Sequence, residues 1–173
     1  NLTSNSATVT GNVTVQPLSV TVAATPGTTL YNSTTQTQSH TSGFLSGDAV
    51  TVAGVVSQRN AGAYTSDLRA SGADVGNYSV TYANSNYNVN QALLSARFVV
   101  ADKVYDGSTT ATPSLTITAG LVGTEHIQVS GTASFNAKDV LTANMVTVDS
   151  VSLSDGANGE LSSNYSLTAG QTT

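Results

Sequence analysis

The chain contains no cysteine and no tryptophan, and only five lysine and arginine residues in a length of 173. Nucleic-acid binding needs clustered basic side chains that displace the counterions of phosphates, so five scattered ones argue against it. They argue equally against an anionic membrane surface as a partner. No apolar run is long enough to cross a bilayer, so we also expect no membrane insertion.

The lack of cysteine excludes the disulfide framework that stabilises many small secreted domains of eukaryotes. Large bacterial surface proteins commonly lack cysteine, and the remaining composition fits that class. Charged residues make up 9% of the chain, against about 25% in an average globular domain. Serine, threonine, asparagine and glycine take their place, and threonine and valine suit pleated strands.

The chain contains an internal repeat, marked by similar segments in the same order. Residues 103–109 run Lys-Val-Tyr-Asp-Gly-Ser-Thr, and residues 30–34 run Leu-Tyr-Asn-Ser-Thr. Segments 43–54 and 120–131 also correspond, as do 60–62 and 136–138, and 77–80 and 164–167. The repeat predicts two domains of roughly 80 residues each. We assign residues 17–91 to copy one, residues 92–173 to copy two, and residues 1–16 to the terminal strand or linker of a preceding repeat.

Apolar and polar residues alternate in short runs, for example at 18–23, 94–100 and 145–153, as is typical of half-buried strands. Residues 78–82 and 87–90 flank a turn-rich segment and predict a hairpin. No window has a sustained helical period, and at most one helical turn is expected at 43–48 and at 120–125. The sequence therefore predicts an all-β fold of two tandem small β-sandwich domains of the immunoglobulin-like type. A β-grasp-like variant with one short helix in each domain is the alternative.

Tyrosines provide the candidate ligand-binding residues, because aromatic faces and carboxylates suit sugar binding. The candidates are Tyr105, Asp106, Tyr64, Tyr78, Tyr82 and Tyr87. The competing interpretation is structural, since Asp-Gly and Asn-Ser are ordinary turn pairs. In addition, a buried tyrosine with a bonded hydroxyl fixes a corner in many sandwiches.

No catalytic residue can be selected. Nucleophilic catalysis needs a base beside the nucleophile, and the only two histidines, His40 and His126, are not at matching positions of the repeat. The chain is therefore predicted not to be an enzyme. A hydrolase is a third class, which would need a cleft with paired carboxylates.

An acidic, glycine-rich loop is a candidate calcium site, because calcium prefers clustered oxygen ligands. It offers the side chains of Asp155, Asn158 and Glu160. The spacing does not fit an EF-hand loop, and the competing interpretation is a solvated turn. No cofactor other than calcium is expected.

Lys103 suggests an intramolecular crosslink. Bacterial stalk domains can join a first-strand lysine to a last-strand asparagine by an isopeptide bond with the help of a buried acid. Asn164 stands at a suitable chain position, and Glu125 or Asp106 would assist. Copy one has no lysine, so the competing interpretation is an exposed Lys103.

The repeat segments resemble a known family. Residues 103–107, 120–123, 131–139 and 164–167 together are similar to the YDG-type repeat of filamentous-haemagglutinin-like exoproteins of Gram-negative bacteria. Residues 18–91 resemble a sister, MBG-type repeat of the same proteins, through 47–48, 60–64 and 76–78. Copy one departs from the pattern by carrying Asn32 and Ser33 in place of Asp-Gly. The resemblance implies a segment of a large adhesin that is exported by two-partner secretion or as an autotransporter.

Two functions follow from this resemblance as expectations. The first is a structural and adhesive repeat segment, acting in attachment and biofilm cohesion at the bacterial cell surface or in the biofilm matrix. The second is a module that binds exopolysaccharide or host glycans. The expected partners are these glycans and neighbouring repeats of the same chain, and the fragment itself is expected to be a monomer.

Overall fold

The computed structural model describes residues 11, 12 and 14–168. The strand or linker predicted for residues 1–16 therefore lies largely outside the described part of the chain. Residues 14–17 are exposed and belong to no strand.

Copy one consists of ten short strands. They are β1 Leu18–Ala24, β2 Gly27–Leu30, β3 Gln36–Thr37, β4 His40–Thr41, β5 Thr51–Ala53, β6 Ser57–Gln58, β7 Gly62–Thr65, β8 Arg69–Ser71, β9 Tyr78–Ala83 and β10 Asn86–Asn90. Two three-stranded sheets have the orders β4-β1-β9 and β2-β10-β7, and β3 pairs with β6 and β5 with β8. A 3-10 helix at Val75–Asn77 leads into β9.

Copy two consists of six strands within the described residues. They are β11 Ala92–Val100, β12 Thr110–Ala111, β13 Pro113–Ala119, β14 Gln128–Phe135, β15 Val146–Ser154 and β16 Tyr165–Leu167. They form sheets with the orders β13-β11-β16 and β12-β14-β15. A 3-10 helix at Ser162–Asn164 leads into β16, as its counterpart leads into β9. The all-β prediction is confirmed, and the described helices are far too short to span a membrane.

The two copies share one topological feature, a parallel pairing of the first strand of each copy with the strand that follows its 3-10 helix. Leu18 of β1 lies opposite Tyr78 of β9, and Ala92 of β11 lies opposite Tyr165 of β16. Because parallel neighbours need a long connection, each of these pairs forms only after most of the chain of its copy has returned to the first strand. The repeat seen in the sequence is thus also a repeat of structure.

The hairpin predicted for residues 78–90 is wrong. β9 pairs in parallel with β1, and β10 pairs in parallel with β2, so the two strands do not pair with each other. The physical reason is that the chain bends at the same level in both paired segments, between β1 and β2 and between β9 and β10. Buried Gln38 fixes it by donating from Nε2 to the carbonyl of Thr25 (3.0 Å) and to Oγ of Ser85 (2.9 Å). The turn-forming residues at 84–86 therefore move the chain from one sheet to the next.

The core has two parts. One lies inside copy one and contains Val22, Ala24 and Leu68. The other crosses from copy one to copy two, and its buried members are Tyr31, Val89, Ala92, Leu94, Ile127 and Tyr165. Burying an aliphatic or aromatic side chain stabilises a fold by about 1.5–3 kcal/mol, so this second part also holds the two copies together.

Candidate functional site at the junction of the copies

Each copy anchors a buried tyrosine to a carboxylate at the same place in the repeat. The hydroxyl of Tyr78 donates to Asp48, and the hydroxyl of Tyr165 donates to Glu125. Both hydroxyls also accept a hydrogen bond from the backbone N–H three residues before that carboxylate. We call each arrangement a tyrosine anchor. It holds the loop before the carboxylate against the last strand.

Glu125 differs from Asp48 because it also binds the other copy. Its Oε2 accepts from Tyr165 (2.7 Å), while its Oε1 accepts from the hydroxyl of Tyr31 (2.7 Å) and from Nη2 of Arg59 (3.0 Å). Tyr31 and Arg59 belong to copy one. Glu125 is only 9% exposed, and burying a carboxylate is costly unless it has such hydrogen-bond partners. One side chain thus joins three segments from both copies.

The pKa values of the two tyrosines that bind Glu125, Tyr31 and Tyr165, are both raised. Burial is the main cause that raises the pKa of Tyr31, and the hydrogen bond to Glu125 adds to it. The same two causes raise the pKa of Tyr165 strongly. Both hydroxyls therefore stay protonated and act as donors to the carboxylate.

A second set of contacts flanks the carboxylate. Asn164 is buried, and its Oδ1 accepts from the backbone N–H of Ala61 (2.8 Å). Its Nδ2 donates to Oδ1 of Asn60 (3.3 Å). Gln91, the single residue between β10 and β11, donates from Nε2 to the carbonyl of Ser163 (2.9 Å). Together these bonds join copy one to the 3-10 helix of copy two.

Aromatic packing completes the junction. The rings of Tyr31 and Tyr165 meet edge to face, with centroids 5.5 Å apart and an interplanar angle of 76°. Beside them, an open pocket of about 200 Å³ is lined by Tyr31, Arg59, Asn60, Asn164 and part of the loop 159–161. Most polar groups of this pocket are already bonded within the protein, as described above. The site is therefore chiefly a joint between the two copies.

The predicted ligand-binding tyrosines do not share one face. Tyr64 and Tyr87 are cross-strand neighbours in the sheet β2-β10-β7, and both pack against the junction core. Tyr78 is buried, and Tyr82 lies in the other three-stranded sheet of copy one, where its hydroxyl accepts from a backbone N–H. Tyr105 lies in copy two and is 56% exposed. Ligand binding by these residues stays a prediction.

Asp106 is part of an ordered turn. It accepts hydrogen bonds from Nζ of Lys103 (2.8 Å) and from the backbone N–H and hydroxyl of Ser108 (both 2.9 Å). These bonds lower its pKa to about 2. Lys103 also donates to the carbonyls of Ser108 and Thr110, and the residue is exposed, as the competing interpretation expected.

The crosslink suggested for Lys103 finds no support in the geometry. In the part of the chain that the structure describes, the hydrogen-bond partners of its Nζ all lie within residues 106–110. Asn164, in contrast, bonds to Asn60 and Ala61 at the junction. The two side chains are thus engaged in different contacts and are not brought together.

The acidic loop uses its carboxylates for its own hydrogen bonds. Asp155 accepts from the backbone N–H and hydroxyl of Ser162 (both 2.7 Å), and these bonds lower its pKa. Glu160 accepts from the backbone N–H of Asn158, and its pKa is lowered mainly by backbone hydrogen bonds. Among the described residues no three histidine, aspartate or glutamate side chains cluster as a metal site would require. Calcium binding by this loop stays a prediction.

The sequence reasoning missed the junction residues Tyr31, Arg59, Glu125 and Asn164 as a functional group. The repeat contained part of the signal, because Glu125 corresponds to Asp48 and Tyr165 to Tyr78. A carboxylate and a tyrosine kept at the same two places of both copies point to a contact between them. Nothing in the sequence pattern showed that Glu125 also reaches the other copy.

Comparison with known proteins bears on copy two. Neither the curated proteins nor the solved structures contain a match to the chain. Residues 88–173 match the YDG domain, and this range begins inside β10 and includes the motif at 105–107. The predicted YDG-type module is thereby supported. The chain contains a YDG domain at residues 88–173.

Proposed function

We propose that the chain is a structural and adhesive repeat segment of a large secreted bacterial surface adhesin, with no catalytic role. The observation that carries the proposal is the junction at Glu125, where two consecutive modules share a core and a network of buried hydrogen bonds. The YDG domain, the duplicated topology and the low content of charged residues support it. In this role the segment lies outside the cell and acts in attachment and biofilm cohesion.

The physical argument concerns the angle between modules. A flexible linker of several residues would let the modules reorient freely, but only Gln91 separates β10 from β11. Tyr31 and Arg59 of copy one both donate to Glu125 of copy two, so moving the copies apart would break these bonds and expose the core that the copies share. The joint is therefore expected to be stiff, as an extended surface fibre requires.

The experiment measures whether the two copies tumble as one body. Backbone ¹⁵N relaxation gives a rotational correlation time for each copy, and we expect equal values for the wild-type chain. The variant Glu125→Asp shortens the side chain, so it keeps one partner and loses the others across the joint. We expect the correlation times of the two copies to fall and to separate in this variant.

The matched control is Glu160→Asp, the same change at the only other glutamate of the chain. Glu160 accepts hydrogen bonds within its own loop, so this variant should tumble like the wild type. Independent tumbling of the copies in the wild-type chain would overturn the proposal of a stiff segment.

A second candidate function is glycan binding. The pocket beside the junction favours it, because the half-exposed guanidinium of Arg59 and the amide of Asn60 lie at its edge. Binding is measured with a panel of bacterial exopolysaccharides and mucin glycans, with calcium and with a chelator. Saturable binding that is lost in Arg59→Ala would establish this function, and no binding in either condition would remove it.

A further inference from the structure

Strands β14 and β15 form the long hairpin of copy two. They pair antiparallel from Gln128 opposite Ser154 to Phe135 opposite Val146. In the sheet order β12-β14-β15, β15 stands at the edge, and no strand of the described chain pairs with its outer side. A free edge presents unpaired backbone N–H and C=O groups, to which a strand of another molecule can add.

The sequence of β15 favours such pairing. Valine, serine, threonine and leucine make up eight of its nine residues, and it contains no proline. Segments of high β-propensity and low charge form strands between molecules readily. Asp149 is the only charged residue of β15, and β14 has none. Asp149 is therefore the one residue of the hairpin strands whose charge opposes the addition of a further strand.

Asp149 is also the point at which the pairing of β14 with β15 is interrupted. Thr132 pairs with Ser150, and Ala133 pairs with Val148, so Asp149 has no partner in β14. Such an extra residue is a β-bulge, which bends its strand and increases the local twist. The edge of β15 is thus divided into two shorter pieces.

The carboxylate of Asp149 is exposed and held beside this bulge. It accepts a hydrogen bond from the hydroxyl of Ser134 in β14 (2.9 Å). None of the ion pairs among the described residues includes it, so no neighbouring cation neutralises its charge. A strand added at this edge would meet both a bend and a charge, two features by which natural sheets avoid association through their edges.

The other long edge strand of copy two has related features. β13 stands at the end of the sheet β13-β11-β16. It begins with Pro113, which lacks a backbone N–H, and its pairing with β11 skips Thr118. Bulges thus occur on both long edge strands of this copy, as expected if they serve the edges.

Copy one treats the edge that corresponds to β15 in a different way. Its counterpart is β8, which has only three residues and pairs with β5. The backbone N–H of Ala70 donates to the hydroxyl of Tyr82 (2.9 Å), and that of Leu68 donates to Oδ1 of Asn84 (2.8 Å). These N–H groups are therefore already bonded to side chains and are not free to pair with another strand.

We propose that Asp149 and its bulge prevent β15 from pairing with the same edge of a second molecule of the chain. Antiparallel pairing of two β15 strands would join two three-stranded sheets into one. The charge opposes this because like charges that approach across neighbouring strands are destabilising. The bulge opposes it because a bent strand cannot form a continuous ladder with its neighbour.

Such protection matters in a chain built of similar modules, because misassembly between modules is a typical failure of repeat proteins. A long uncharged edge in each module would multiply the places at which two molecules could pair. This inference goes beyond the proposed function, since it holds whether or not the protein serves adhesion.

Two variants remove the protection to different extents. Deletion of Asp149 removes the bulge and the charge together. Because Thr132 and Ala133 are adjacent in β14, the pairs with Ser150 and Val148 would then follow each other without interruption and keep their present faces. The deletion variant is therefore expected to fold. Asp149→Thr removes the charge and keeps the bulge, so it tests the edge with the length of the chain unchanged.

Sedimentation velocity measures the association. We expect a monomer at all concentrations for the wild-type chain. The mass of the deletion variant should rise with concentration towards that of a dimer, and Asp149→Thr should show a smaller rise. Association of either variant would support the proposal. Monomers in both variants, or a wild-type chain that associates equally, would overturn it.

Two controls separate the position of the charge from its sign and from the net charge. Asp149→Lys restores a charge at the same place and should be monomeric. Asp139→Thr makes the same change at an exposed aspartate in the loop between β14 and β15, so it lowers the net charge equally but leaves the edge intact. It should also be monomeric, and association equal to that of Asp149→Thr would contradict the proposal.

Hydrogen exchange locates the contact. In the wild-type chain the amides of β15 that are not bonded to β14 should exchange rapidly. In the associated deletion variant these amides should become protected, while those of β1 in copy one should not change. Association that leaves the exchange of β15 unaltered would show that another surface is involved and would refute the proposal.

Discussion

Replacing Glu125 by alanine is expected to destabilise the protein more than the equivalent change of Asp48 in copy one. Glu125 accepts three hydrogen bonds, two from tyrosine hydroxyls and one from Arg59. Asp48 serves one buried tyrosine, Tyr78. The two variants remove carboxylates at matching places of the repeat, so their difference measures what the junction adds.

The magnitude follows from the groups left without partners. Glu125→Ala leaves the hydroxyls of Tyr31 and Tyr165, both in side chains that are 2% exposed, without an acceptor. Each unsatisfied buried polar group costs about 1–3 kcal/mol, so the loss for the two hydroxyls should be about 2–6 kcal/mol. The side chain of Arg59 is 55% exposed, and water replaces most of what it loses. Asp48→Ala leaves one hydroxyl, that of Tyr78, without an acceptor and should cost about 1–3 kcal/mol.

Urea unfolding followed by far-UV circular dichroism gives both free energies by linear extrapolation. The wild-type chain should unfold in one transition because the copies share a core, and Glu125→Ala should lower the midpoint or split the transition in two. A double-mutant cycle with Tyr31→Phe isolates the coupling between the copies. If Glu125→Ala cost no more than Asp48→Ala within about 0.5 kcal/mol, which is the usual accuracy of additivity, the junction would not contribute as argued.

Three further predictions concern single sites. Because burial and the bond to a carboxylate raise the pKa of Tyr165, its contribution to stability is complete below about pH 10, the ordinary tyrosine pKa. It is lost as the pH rises towards the folded-state pKa, so Tyr165→Phe should flatten the alkaline fall of the unfolding free energy, and an unchanged slope would contradict this. The pKa of Asp106 is about 2, mainly because Lys103 donates to it, so its stabilising effect is present above pH 3.8 and is lost as the pH falls through about 2. In Lys103→Met a ¹³C titration should show this pKa rising towards 3.8, and a fixed midpoint would refute the assignment. Gly54 and Gly47 both have positive φ, but only at Gly54 would a Cβ meet a backbone carbonyl. Gly47→Ala should therefore cost about 1–2 kcal/mol and Gly54→Ala clearly more, and equal losses in urea unfolding would be inconsistent with the packing.

Much of the fold could be predicted from the sequence because alternation of apolar and polar residues is typical of strands. The run at residues 18–23 became β1, Leu18–Ala24, and the run at 145–153 became β15, Val146–Ser154. Alternation says which face of a strand is buried, but nothing about the strand beside it. The parallel pairing of β9 with β1, and the bend fixed by Gln38, depend on contacts between distant residues and could not be predicted.

The site was harder to predict for a related reason. The tyrosine anchors follow from residues kept at equal places in both copies, and the aligned segments contained Asp48 and Glu125. The contact of Glu125 with Tyr31 spans 94 residues, and only the packing of the two copies brings them together. The tyrosines were prominent as candidates because of their chemistry, yet Tyr78 proved to serve the structure of its own copy.

The carboxylate of the anchor inside copy one and the carboxylate of the joint between the copies are carried by side chains that differ by one methylene group. The aspartate at 48 is short, and among the described residues the only tyrosine hydroxyl that donates to it is that of Tyr78. The glutamate at 125 is longer, so one oxygen serves the anchor while the other extends to Tyr31 and Arg59 of the copy in front. If copy one also follows another module, its shorter carboxylate would give that joint fewer hydrogen bonds than the joint at Glu125. A chain of such modules would then have joints of unequal stiffness, each set by the acidic residue at this one position of the repeat.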